Sequence, residues 1–137
     1  MVLDAKAGPL PRMALPFRLG AGGRLGDGTQ YTSWIHRDDW VRLVRHLLQR
    51  QELTGAFNAA APEPVRNADF AKTLAQVLAR PAVVPTPAAA LRLALGEMAD
   101  ALLLSSQRVI PARATSEGFA FTYPTLHAAL RQIYGRA

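Results

Sequence analysis

The chain has 137 residues, 50% of them hydrophobic, with 16 Lys+Arg against 10 Asp+Glu and a net charge of +6. That is one domain's worth of chain with enough apolar content for a core, which excludes wholesale disorder. The absence of Cys excludes a disulfide scaffold, a thiolate metal site and a cysteine nucleophile. No apolar run reaches the ~18 residues of a membrane span. The opening Met1–Lys6 lacks the charged and apolar regions of a secretory signal, so a soluble, cytoplasmic protein is expected. Fourteen of the basic residues are Arg. They are scattered, the densest set (Arg37, Arg42, Arg45, Arg50) running along one helix. A nucleic-acid footprint needs a single basic stripe with a recognisable motif, so nucleic acid is not expected as a partner.

In chain order, Met1-Val2-Leu3 reads as the end of a strand. Pro9 to Leu19 is loosely helical and interrupted by Pro16. Gly20 to Gly28 is a loop by composition. Gln30 to Arg37, with Tyr31, Thr32, Trp34 and Ile35, reads as one strand. Asp38 and Asp39 then head an amphipathic helix carrying Trp40, Val41, Leu43, Val44, Leu47 and Leu48. The acids suit its positive N-terminus. Gly55–Ala60 reads as a short strand ended by Pro62 and Pro64. Asn67 is the expected N-cap of a helix through Ala79, with Phe70, Leu74, Val77 and Leu78 on one face. Val83-Val84 suggests another short strand. Helices follow over Ala88–Leu95, capped by Gly96, and Glu97–Leu104. Gln107–Ile110 is extended, Ala112–Glu117 a turn of helix and Phe119–Phe121 a minimal strand. A last helix runs from Thr125 to Tyr134, with Pro124 suited to its first position. The strands are too short and few for an independent large sheet. The expected class is α/β, or α+β in isolation, with a few short strands and three to five helices.

The glycine loop invites a phosphate-cradle reading, but G-x-G-x-x-G must follow a strand and open a helix. Here Gly20-x-Gly22 runs on through Arg24 and Leu25 toward a strand. His36, His46 and His127 lack ligand spacing, so no metal site is expected. Ser105 and Ser106 have no nucleophile elbow. No catalytic constellation can be assembled from these residues.

Three stretches in this order carry a resemblance: Ser33-Trp34-Ile35-His36-Arg37-Asp38-Asp39 before a helix; Gly55–Pro62 followed by Asn67-Ala68-Asp69-Phe70; and a tail with Gly96-Glu97-Met98-Ala99-Asp100, Gln107-Arg108-Val109-Ile110-Pro111, Gly118-Phe119 and Tyr123-Pro124. Together they resemble the C-terminal half of an extended short-chain dehydrogenase/reductase, from an epimerase-like family of uncharacterised substrate whose members end in a domain of unknown function. The resemblance implies a remnant of the late Rossmann strands over residues 1–60 and a small substrate-side lobe over residues 61–137. It implies NAD(P) for a complete member. The cofactor glycines and the Tyr-x-x-x-Lys are absent, since Tyr31 is followed at that spacing by Ile35 and Tyr123 by His127. The expectation is therefore a chain missing its N-terminal Rossmann half, binding no cofactor alone and not catalytic alone. Candidate substrate-binding residues are Arg24, Trp34, His36 and Asn58. Thr32 holds the position where sugar-nucleotide epimerases place a diphosphate-binding arginine, and a hydroxyl cannot supply a bidentate charged clamp. The alternative is a small interaction module that homodimerises, or pairs with a separate Rossmann chain, through exposed strand edges.

Overall fold

The computed structural model describes residues 1–135. Its element order mixes four two-residue strands with helices: β1 (Val2–Leu3), α1 (Leu10–Arg18), β2 (Tyr31–Thr32), β3 (Ile35–His36), α2 (Arg37–Gln49), β4 (Val65–Arg66), α3 (Asn67–Leu78), α4 (Ala88–Leu95), a π-helical turn (Ala99–Leu104), α5 (Ala112–Ser116) and α6 (Leu126–Tyr134). The stretch expected to form one strand over Gln30–Arg37 is two. β3 pairs in parallel with β1, Val2 opposite Ile35, and β2 pairs antiparallel with β4, Tyr31 opposite Arg66. The chain changes sheet at Ser33 and Trp34, where the Trp34 side chain is buried in the core.

Gly55–Ala60 and Phe119–Phe121 are not strands, and Gln107–Ile110 is extended without a ladder. Near Val83-Val84 the pairing is a single parallel bridge, Leu25 to Thr86. These segments find their hydrogen bonds elsewhere, as buried backbone must. Gln107 N–H donates to Tyr31 O at 3.2 Å. Val109 N–H donates to Ser33 Oγ at 2.9 Å, and that hydroxyl donates to Gln107 O at 2.7 Å.

α1 tolerates Pro16 in its interior. The missing N–H costs the exposed Arg12 carbonyl its helical donor, a loss water can make good. The glycine loop serves close packing. A Cβ on Gly22 would enter the Phe17 ring, and one on Gly23 would strike the Val84 carbonyl. Pro124 precedes the N-cap of α6, which is Thr125.

Two cores result. In the larger, α3 lies on α6 and α1, burying Leu3, Leu10, Trp34, Phe70, Leu74 and Leu130. The smaller joins Ile35 and Leu43 to Ala114 and Phe119. Of the apolar side chains expected on one face of α2, Leu43 is buried at 1%, whereas Trp40 is 41% and Leu48 76% exposed. Among the described residues no helix is long and apolar enough to cross a membrane.

Candidate functional site

β1 and β3 run parallel, so the loops leaving them open at the same end. In open α/β sheets the carboxyl ends of the strands are where ligands bind. A cavity of about 270 Å³ lies at this end, walled by Leu3, Asp4, Lys6, His36, Arg37 and Gln132 among others. His36 closes its floor, only 2% exposed.

The His36 ring is fixed on three sides. As N-cap of α2, its Nδ1 accepts from Asp38 N–H at 3.1 Å. An accepting Nδ1 leaves the proton on Nε2, so Nε2–H donates to Gln132 Oε1 on α6, 2.8 Å away. The ring lies against Tyr123, centroids 4.1 Å apart. Both nitrogens are engaged within the chain, so a ligand meets the ring's edge unless Gln132 moves.

Asp4 organises the loop after β1. Its Oδ1 accepts from Lys6 N–H at 2.7 Å and Ala7 N–H at 3.1 Å. Its Oδ2 meets Arg37 Nη1 at 2.6 Å, joining the loop to the start of α2. The Lys6 backbone bond, with help from Ala7 and Arg37, holds the Asp4 carboxyl below its usual range, and Asp4 in turn raises the Arg37 guanidinium.

The other three residues singled out from sequence lie apart. Trp34 is 1% exposed, and its Nε1–H donates to Glu63 O at 2.8 Å, tying β3 to the approach of β4. Asn58 is exposed and its Nδ2 donates to Ile110 O at 3.3 Å, bracing one loop on another. Arg24 is exposed. Its backbone carbonyl accepts from Thr86 N–H at 2.9 Å. Its charge contributes to lowering the nearby Asp27 carboxyl, after the hydrogen bonds from Thr29. The four side chains share no hydrogen-bond partner among the described residues.

Sequence reasoning passed over the residue that assembles this end of the molecule. Asp39 is fully buried. Its carboxylate accepts from Thr122 N–H at 2.9 Å, Tyr123 N–H at 2.8 Å and Arg42 Nη1 at 2.8 Å. That bond pair delivers Tyr123 to the His36 ring. The available signal was a second acid in the first turn of α2, on the same helical face as Leu43. A wider cleft of about 550 Å³ lies between the β2–β4 ladder and the starts of α3 and α6, lined in part by Tyr31, Glu63, Arg66, Asp69 and His127. Among the described residues no group of three His, Cys, Asp or Glu could hold a metal ion.

Residues 86–133 match a family model described as a domain of unknown function, DUF1731. The human epimerase family protein SDR39U1 is 39% identical over 133 residues, 97% of this chain and 45% of that protein. The epimerase family protein YfhF of Bacillus subtilis is 41% identical over 132 residues, 96% of this chain and 43% of that protein. The crystal structure of human SDR39U1 (isoform 2) with NADPH superposes with a TM-score of 0.92 at 38% identity, covering 99% of this chain and 46% of that one. The chain thus spans under half the length of the relatives it matches. By sequence and by fold, the chain is similar to the C-terminal part of these epimerase family proteins.

Proposed function

We propose that this chain is the substrate-side portion of an epimerase-like, NAD(P)-dependent oxidoreductase and does not catalyse by itself. The observation that carries the reading is the superposition, nearly end to end, on less than half of a relative whose structure was solved with NADPH. The chemistry agrees. A Tyr-x-x-x-Lys pair supplies the proton shuttle in such enzymes, and these 137 residues contain no Tyr-x-x-x-Lys spacing. In this reading residues 1–60 extend the coenzyme-side sheet, and residues 61–137 form the lobe that closes on substrate, the last two lying outside the described residues. His36 bounds the cleft at the strand ends. Arg24, with no carboxylate within salt-bridge distance among the described residues, offers a cation to an anionic substrate group. Trp34, buried in the core, and Asn58, bracing the loop at Ile110, support this side of the molecule from within the fold rather than facing the cleft.

The test is a titration of the purified chain with NADPH, followed by coenzyme fluorescence. No saturable signal is expected up to millimolar NADPH. Saturation at micromolar coenzyme by a monomer would overturn the reading.

A second reading, a module that self-associates, has one observation in its favour: β1 has a strand partner on one side only. Light scattering at micromolar concentration distinguishes the two, since a monomeric mass removes the second.

A further inference from the structure

The burial of α4 contradicts its composition. Ala88–Leu95 is apolar except for Arg92, and a helix that is hydrophobic all round belongs in an interior. None of its side chains is buried. Leu93 is 90% exposed, and Met98, just past the helix, 58%. Val83, Val84 and Leu95 extend the same exposed apolar run. Apolar groups exposed singly need no explanation, but a cluster of them marks a contact surface.

The helix stands on the glycine loop. Thr86 N–H donates to Arg24 O at 2.9 Å, and Gly26 N–H donates to Thr86 O at 2.8 Å. A Cβ on Gly26 would lie 3.7 Å from Ala88 and 3.2 Å from Leu104. The start of α4 and the end of the π-helical turn therefore rest on one spot. Gln30 Nε2–H fixes the latter by donating to Leu103 O at 3.0 Å. The charges at the two ends of α4 differ. Beside its start, Arg24 has no carboxylate within salt-bridge distance among the described residues. Arg66, which with Arg24 acts on Asp27, is engaged by the Tyr31 ring, 5.1 Å from its Cζ. On α4 itself Arg92 is neutralised by Asp100, Nη2 to Oδ1 2.9 Å. Past the far end comes an acid, Glu97, with no cation within salt-bridge distance among the described residues.

We propose that α4 and the Arg24 loop form one binding surface for an aliphatic monocarboxylate, and that this is the substrate class of the lobe. The carboxylate sits on Arg24, and the chain runs along α4 toward Leu95. Charge complementarity selects this occupant. One guanidinium matches one carboxylate in a bidentate pair, and Thr32 supplies no second cation for a diphosphate. Glu97 repels a carboxylate placed at the other end, which sets the direction. A membrane surface fits less well, because helices that lie on membranes carry Lys and Arg on their polar face, and the one cation of α4 is already neutralised. This inference rests on the proposed function and names the substrate class of that lobe.

The experiment titrates the purified chain calorimetrically with octanoate, dodecanoate and dodecyltrimethylammonium, each below its micellar range. Each buried CH₂ strengthens binding by up to about fourfold, so dodecanoate is expected to bind one site at least tenfold more tightly than octanoate. The cationic amphiphile should bind at least tenfold more weakly than dodecanoate. Arg24→Gln should weaken dodecanoate at least fivefold and leave the cationic amphiphile unchanged. Leu93→Ser should weaken dodecanoate at an unchanged melting temperature, since that side chain is in solvent. Absence of saturable dodecanoate binding overturns the proposal. Equal affinity for the two charged amphiphiles reduces the surface to unspecific apolar adsorption and overturns it too. Binding to phosphatidylglycerol vesicles without binding to monomeric dodecanoate makes the occupant a membrane. A doubled mass by light scattering that Leu93→Ser abolishes makes it a second copy. Either result overturns the proposal. The NADPH titration is separate. Lost dodecanoate binding leaves the proposed function standing, whereas micromolar NADPH saturation overturns that function and the assignment as substrate, whatever dodecanoate does.

Discussion

Replacing Asp39 is the most demanding test of how this end of the molecule is held. Its carboxylate is fully buried and takes hydrogens from Thr122 N–H, Tyr123 N–H and Arg42 Nη1 at 2.8–2.9 Å. A hydrogen bond to a charged group contributes about 1.5–3 kcal/mol net, so the two backbone bonds together contribute about 3–6 kcal/mol. The Arg42 contact adds about 1 kcal/mol at most, because its side chain is 46% exposed and solvent screens it. Asp39→Ala should thus cost about 4 kcal/mol. With a urea m-value of about 2 kcal/mol/M, the midpoint falls by about 2 M. Asp39→Asn keeps one accepting oxygen and should lose about half as much, which preserves a measurable transition if the Ala variant fails to fold. Arg42→Ala should cost about 1 kcal/mol or less. The assay is urea unfolding followed by tryptophan fluorescence and far-ultraviolet circular dichroism together. A loss below about 1 kcal/mol for Asp39→Ala, at unchanged m, would refute the claim that this carboxylate fixes residues 122–123.

Asn67→Ala tests a second buried polar contact. The Asn67 Oδ1 accepts from Leu25 N–H at 2.7 Å, 42 residues away in sequence. Its loss should cost about 1–2 kcal/mol and speed exchange of the Leu25 amide at least tenfold, with the first-turn amides of α3 unaffected. Acid should weaken the fold through carboxyls held below their usual range: Asp4 by the Lys6 backbone, Asp27 by the Thr29 backbone, Glu52 and Asp100 by hydrogen bonds from Arg50 and Arg92. A depressed folded-state pKa contributes stability that is complete above the unfolded value and is lost as pH falls through the folded one. Through these carboxyls stability should decline below the ordinary carboxylate range, with Asp4→Asn making that decline shallower, while the Met1 amine, lowered by burial, adds a separate loss as pH falls below 8. An acid decline left unchanged by Asp4→Asn would contradict this assignment.

The helices were legible because their signals are local. The acids before Trp40 announce α2 and Gly96 marks the end of α4, whereas α6 was read as beginning with Pro124 at its first position and instead takes Thr125 as its N-cap. Gly55–Ala60 and Phe119–Phe121 read as strands but are not, because their backbone finds partners outside any ladder, such as Ala56 O from the Arg113 guanidinium and Phe119 N–H on Ala114 O. Asn67 shows the same limit. Its type suits an N-cap, but Arg66 takes that position and the Asn67 side chain serves a distant loop.

The residue pattern by itself determined the family resemblance, the helical periods and the lack of a proton-shuttling Tyr-x-x-x-Lys, since each is a matter of residue type at fixed spacing. The three-dimensional arrangement alone decided that Leu43 faces inward while Trp40 and Leu48 face out. Periodicity defines a stripe but not which part of it finds a partner. It also decided that Asp39 reaches residues more than 80 positions away. A buried carboxylate takes whichever donors the packed chain brings within 3 Å, and nothing local in the chain names them.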